Sequence, residues 1–470
     1  MHPAGRPPSR ATDPRTGRPV GDRYADTSPS ELNAVLDAAV AAQRSWSRAP
    51  ASERAEACRR IGEGLLARRG ELADLIVAEV GKHSDEAAAE VEKCASLCAY
   101  YAERLPRFAA PRPAATPRAH VRVLHRPLGL VLGVMPWNFP LWQAARFAIP
   151  ALAAGNAAVL KHAANVPACA EAFAKTLAAE LPPGLFASVR LADAATAALV
   201  ADARVAGVSL TGSTRAGSAI GEAAGRALKP SVLELGGSDP YVVLADADLE
   251  RAAEALVRGR LVNAGQSCIG PKRIVVVDEV RAELTDLLLD RCRDYGYVVP
   301  GAPRDAEREL APLARADLRE TLHEQVARTV DAGASLLWGG AAPAGGGFFY
   351  PVTVLADVPP GSPAASEELF GPVLAILPAR DEREAVAIAN DSPFGLGAGV
   401  FSRDLARAER IAVEELRAGA VAVNDFVRSD PRVPFGGIRD SGYGRELAED
   451  GFRAFANVKS VAVAHPLPGA

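Results

Sequence analysis

Two segments of the chain alternate short apolar runs with longer amphipathic ones, and no other feature constrains the fold more. "LGLVLGVM" (128–135), "AAVLK" (157–161) and "VAGVSLTGS" (205–213) are separated by "FPLWQAARFAIPALAAG" and "VPACAEAFAKTLAAEL". The last run leads into the helical "TRAGSAIGEAAGRAL". Apolar strands alternating with helices predict a parallel sheet covered on both faces. A second series begins at "DPYVVL" (239–244) and continues through "KRIVVVDE" and "GAVAVND", so two α/β units are expected. At 470 residues the chain has room for both.

The flanks read differently. Residues 29–108 carry helical periodicity, as in "PSELNAVLDAAVAAQRSW", with Ser52 and Ser84 as candidate N-caps of the second and third helices. "LPRFAAPRPAATPRAH" (105–120) reads as a proline-rich linker. "AHVRVLHRPLG" and the C-terminal "SVAVAHPLP" are candidate edge strands outside both units.

A formal net charge of −4 gives no reason to expect nucleic acid or an anionic membrane as partner. There is no run of eighteen apolar residues, and the first twenty residues lack the apolar core of a secretory signal. The six cysteines lack the paired spacing of a metal site or a disulfide scaffold. A reduced cytoplasmic protein without metal is expected.

Four short stretches hold the candidate chemistry: "MPWNFP" (135–140), "TGSTRAG" (211–217), "LELGGSDP" (233–240) and "VNAGQSCIGPKR" (262–273). Cys268 is the one cysteine set in a polar, glycine-flanked turn; the other five have apolar or alanine-rich neighbours. "TGSTRAG" is a strand-to-helix turn of small residues, suited to phosphate, yet it is not G-x-G-x-x-G and such turns are common. Glu234 reads equally as a salt-bridged strand end, Asn138 as a turn residue before proline, and Lys161 as a snorkelling surface lysine.

Taken in order, these stretches resemble the NAD(P)-dependent aldehyde dehydrogenase superfamily. "DPRTGRPV", "EELFGPV" (367–373), "NDSPFGLGAGVFSRD", "PFGGIRDSGYGRE" and "NVKSVAVAHP" extend the resemblance over nearly the whole chain. Within it, "MPWNFPLWQAARFAIPALAAGNAAVLKHAANV" and "VLELGGSDPYVVL" look most like bacterial succinate-semialdehyde dehydrogenases. The resemblance implies a Rossmann-like cofactor domain (1–109 and 129–236), an α/β catalytic domain (237–447) and a small β oligomerisation arm (110–128 and 448–470). It also implies a homodimer or homotetramer.

Aldehyde oxidation needs a nucleophile, an oxyanion donor, a hydride acceptor and a base for water. The resemblance places Cys268, Asn138 and Glu234 in the three protein roles, with NAD or NADP as acceptor. Lys272 and Arg273 beside the cysteine would favour thiolate. Pro136, Trp137, Lys161, Gly212, Ser213, Leu235, Glu368 and Phe370 are expected at the cofactor. Many NAD-preferring relatives carry glutamate where this chain has Ala164. A 2′-phosphate is then not repelled, His162 can assist, and use of both cofactors is expected.

For a substrate with a distal carboxylate, Arg146 is the expected clamp and Ser429 an added hydroxyl, with Trp142 and Phe435 as walls; the competing reading of Arg146 is a structural ion pair. The alternative substrate reading is a broad-specificity or different semialdehyde dehydrogenase. A cysteine hydrolase would need a histidine base near the thiol, and a structural protein would not need Cys268, Glu234 and Asn138 together.

Overall fold

The run Leu130–Met135 contains no polar side chain, so its stable place is the interior of a sheet. In the computed structural model, which describes residues 9–116, 119–297, 309–343 and 345–464, it pairs in parallel with Ala157–His162 and Val205–Thr211. Phe186–Val189 and Ser231–Glu234 extend the sheet at either side, and Gly442–Tyr443 adds an antiparallel edge. Strand order reverses between Leu130–Met135 and Val205–Thr211, which is where doubly wound sheets open a ligand crevice.

The second unit is a seven-stranded sheet in the order Ser335–Trp338, Thr353–Ala356, Val373–Ala379, Arg273–Val277, Pro240–Val243, Gly397–Phe401 and Ala420–Val423. Only the first of these strands runs antiparallel to its neighbour. Each sheet has its own apolar cluster, the first containing Leu235 and the second beginning at Tyr241. The chain then returns, since Gly442–Tyr443 pairs with Leu233–Glu234, and Phe452 and Phe455 join the first cluster.

Two local expectations are corrected. The helices near Ser52 and Ser84 start earlier, at Ala51 with Pro50 as N-cap and at Ser84 with His83 as N-cap, so neither serine caps. The proline-rich "linker" is not one. The helix runs to Phe108, and Arg112–Thr116 then forms an edge strand on Ala119–Pro127, whose other side pairs with Ala456–Ala464. Edge position is what makes Pro113 tolerable there. Of the C-terminal "SVAVAHPLP", residues 465–468 lie outside the described residues.

The long helix Ser84–Phe108 fixes the geometry between the two sheets. Glu86, Glu90 and Lys93 follow at helical spacing and so share one face. Glu86 accepts the Asn263 N–H at 2.8 Å. Glu90 accepts the Leu141 and Trp142 N–H groups at 2.9 and 3.0 Å, satisfying the start of the helix Pro140–Ala153. Its other oxygen takes Lys82 at 2.5 Å, and that ammonium also lies 3.6 Å over the Phe139 ring. Both members of the pair are buried. Glu90→Ala would strand Lys82 and two helix donors. A loss of about 3–5 kcal/mol, seen as a lower urea midpoint together with reduced activity, is the expected outcome.

Candidate active site

Above the strand-order reversal lies a cleft of about 610 Å³ lined by Met135, Pro136, Lys161, Ala164, Thr211 and Gly212. Ser213 caps the helix Thr214–Arg226 by accepting the Ala216 N–H, so the positive end of that helix faces the cleft. Lys161 sits at the rim with its ammonium 3.0 Å from Asp193. Ala164 places no carboxylate in the wall. Trp137, next in the chain to Pro136, meets Phe370 edge to face, ring centroids 5.8 Å apart. Leu235 packs at the foot of the capped helix, touching the position where a Gly217 side chain would be. Glu368 accepts the Gly237 N–H at 3.1 Å and lies 3.3 Å from Lys272. The donor set is that of a dinucleotide site: backbone N–H groups at a helix start, one rim lysine and one carboxylate for a ribose.

His162 departs from its expected place. It is buried with both ring nitrogens engaged, one 2.8 Å from the Pro140 carbonyl and the other accepting the Ala163 N–H. Burial lowers its pKa to about 4. A neutral, fully bonded ring offers nothing to a phosphate.

Cys268 ends a loop that connects the helix Leu249–Leu261 to strand Arg273–Val277. Three consecutive residues before it, Asn263, Ala264 and Gly265, take left-handed backbone with φ of 52°, 53° and 75°. For Ala264 that costs on the order of 1 kcal/mol. Only glycine fits at 265, because a Cβ would stand 2.3 Å from the Gly371 backbone. Side-chain amides hold the loop in place. Asn263 donates to the Asn138 and Gln266 carbonyls at 2.8 and 3.3 Å, and the Asn138 amide donates to Gln266 O at 3.1 Å. Gln266 reaches Asn263 O and accepts the Ala314 N–H. A side-chain amide carries two N–H donors, and this bond uses one of Asn138's.

Arg260, fully buried, binds Gly265 O, Leu369 O and Val373 O, tying the cysteine loop to the segment that carries Glu368 and Phe370.

Of the two expected cations, Lys272 does pull the thiol pKa down while Arg273 faces elsewhere. Lys272 donates to the Ser267 and Cys268 carbonyls at 2.9 and 2.6 Å, and Arg273 to Ser238 O, Ile388 O and Ala389 O. They brace the loop from beneath. Cys268 alone of the six cysteines is partly exposed. Burial of its thiol pushes the pKa up to about 12, opposed by Arg146 and Lys272. The resting thiol is therefore protonated.

Glu234, at the end of its strand, is 1% exposed, and neither carboxylate oxygen has a well-formed hydrogen bond. A Cβ at Gly436 would lie 2.6 Å from it, so glycine there is what leaves the carboxylate room. Burial holds its pKa well above the carboxylate range, against the pull of Arg146 and with the push of Glu446. The Gly437 N–H pulls weakly the other way.

Arg146 also differs from the expected free clamp. Its guanidinium lies 2.8 Å from Glu446 and 3.9 Å from Glu234, with the Phe435 ring 4.7 Å away. Glu446 also accepts the Ser209 hydroxyl. The structural ion pair is what the chain contains. Ser429 is bonded to Lys93 at 2.8 Å, and Trp142 is buried beneath the same ammonium.

Residues the sequence reading passed over are Glu86, Glu90, Asn263, Gln266, Lys93 and Glu446. Two amides flanking a lone polar cysteine were the available signal for Asn263 and Gln266. Among the described residues no cluster of His, Cys, Asp and Glu could hold a metal.

The chain matches the aldehyde dehydrogenase family over residues 3–461. It is 44% identical over 92% of its length to the NAD(P)+ succinate semialdehyde dehydrogenase Sad of Escherichia coli, covering 93% of that protein. It is 43% identical over 97% of its length to the NADP(+) succinate-semialdehyde dehydrogenase of Deinococcus radiodurans, covering 94% of it. The crystal structure of succinic semialdehyde dehydrogenase from Streptococcus pyogenes in complex with NADP+ superposes with a TM-score of 0.93 at 34% identity, over 97% of this chain and 100% of that one.

Exposure and a raised thiol pKa together set an alkylation pattern. Iodoacetamide should modify Cys268 ahead of the buried cysteines. Its rate should rise about tenfold per pH unit, following the thiolate fraction. Peptide mapping of samples quenched along a pH series reads both; a plateau at neutral pH would mean that the thiol is already ionised.

Proposed function

Because the chain belongs to the aldehyde dehydrogenase family, we propose that it oxidises an aldehyde bearing a distal carboxylate, succinate semialdehyde above all, to the acid. The cofactor is NAD or NADP. The observation that carries the reading is a partly exposed thiol whose loop is bonded to the Asn138 amide and whose sulfur feels the buried Glu234 carboxyl, at the strand ends where Pro136 and Thr211 line a dinucleotide-sized cleft. The names of the relatives support the substrate.

The residues act in sequence. Cys268 gives up its thiol proton to solvent as Sγ bonds to the carbonyl carbon, which leaves the Glu234 carboxylate free for the later step. The Asn138 amide and the Cys268 N–H hold the resulting oxyanion. Conversion of the thiohemiacetal on Cys268 to a thioester expels a hydride, for which a nicotinamide held by the residues named below would be the acceptor. Glu234 next takes a proton from water as the oxygen attacks the thioester carbonyl. Collapse breaks the C–S bond, releasing the acid and the thiolate. Lys161 and Glu368 would hold the two ribose ends of the cofactor, with Gly212 and Ser213 at its pyrophosphate and Pro136, Trp137, Leu235 and Phe370 around the nicotinamide half.

The subunit is proposed to form a homodimer or homotetramer. Support comes from the three-stranded arm, where Val458 and Val463 are 60% and 56% exposed on a strand at the sheet edge. Six free cysteines suit a reducing cytoplasm. No helix among the described residues is long and apolar enough to cross a membrane.

Asn138→Ala should lower kcat by about two to three orders of magnitude, with KM nearly unchanged, when succinate semialdehyde is titrated under saturating NADP. Because the same amide also bonds Gln266 O, some loss of stability accompanies this, and lost stability with kcat retained would make Asn138 structural only. Ala164 leaves the adenosine end without a carboxylate. Catalytic efficiencies with NAD and NADP are therefore expected to lie within about a thousandfold of each other (~4 kcal/mol); a larger preference for NAD contradicts dual use.

A further inference from the structure

Lys93 carries a mostly buried positive charge for which the steps above have no use. Its ammonium donates to the Ser429 hydroxyl at 2.8 Å and lies 4.4 Å over the Trp142 ring. The acids that face it are already engaged. Glu90, on its own helix, holds Lys82 and two backbone N–H groups, and Asp430, on the loop with Ser429, accepts from two nitrogens of Arg432. The remaining titratable neighbours are Cys94 on the same helix and Arg146 on Pro140–Ala153. A hydroxyl and an aromatic face compensate a desolvated ammonium only in part, and burial pulls its pKa down to about 8.

Arg146 does not supply the same attraction. Its charge is matched by Glu446 and faces Glu234, so those three groups present no net positive charge to an arriving anion. We infer that Lys93, with the Ser429 hydroxyl, is the specificity-determining residue that receives the distal carboxylate of the aldehyde. Trp142, beneath the Lys93 ammonium, lies one turn beyond Asn138, so the helix that follows the oxyanion donor also touches the receptor. The inference rests on the reading of the substrate as a carboxylate-bearing aldehyde.

The test compares succinate semialdehyde with butyraldehyde, which has the same carbon chain without the carboxylate. The enzymes are the unmodified protein, Lys93→Met and Lys93→Arg. Lys93→Met should raise KM for succinate semialdehyde about 30-fold, as for a lost hydrogen bond to a charged group. Its kcat, and both constants for butyraldehyde, should stay within about threefold, which also shows that the variant is folded. Lys93→Arg should restore most of the loss. In the unmodified protein, KM for succinate semialdehyde should climb at alkaline pH as Lys93 loses its proton, whereas KM for butyraldehyde should not. Equal losses on both aldehydes, or none, would overturn the role of Lys93 while an enzyme that still prefers the charged aldehyde keeps the substrate reading. An unmodified enzyme indifferent to the carboxylate overturns both.

Discussion

The structure depends on a small set of amide hydrogen bonds joining Asn138, Asn263 and Gln266. They hold a left-handed loop from one sheet against the strand end of the other. Neither sheet makes the site alone. The first contributes Asn138 and Glu234 at the ends of parallel strands, and the second contributes Cys268 just before one of its own. Helix Ser84–Phe108 spans both, with Glu86 on the loop and Glu90 on the helix that follows Asn138. Left-handed backbone costs energy, and it persists because the Asn263 and Gln266 side-chain amides are engaged on both sides of it.

Electrostatics then sort the buried groups. Burial raises the pKa of both the thiol and Glu234, against the pull of Arg146 on each. Arg146 and Glu446 neutralise each other beside them, which keeps Glu234 from being drawn into a permanent salt bridge. At 3.9 Å with no hydrogen bond, Arg146 tempers Glu234 without claiming it. Such an uncommitted setting suits the proposed role of Glu234 as a base that alternates between protonated and ionised states.

Much of this was readable in the chain. Uniformly apolar runs such as "LVLGVM" announce interior parallel strands, and Cys268 stands out because its neighbours are polar and small. What the sequence could not reveal were pairings between residues far apart in it. Arg146 meets Glu446, and Lys93 meets Ser429, only because the returning C-terminal segment packs on the first sheet. His162 follows a strand ending in lysine and reads as a cleft residue, yet its ring turns inward to Pro140. The misread linker shows the same limit: proline-rich sequence is compatible with an edge strand when a partner strand is present, and that partner comes from elsewhere in the chain.

The central claim is that Cys268 carries the substrate as a thioester until Glu234 activates water. Glu234→Gln, mixed with NADP and succinate semialdehyde and quenched in acid, should retain a succinyl group on the Cys268 peptide by mass spectrometry. An unmodified Cys268 accompanying a full first turnover of reduced cofactor would contradict it.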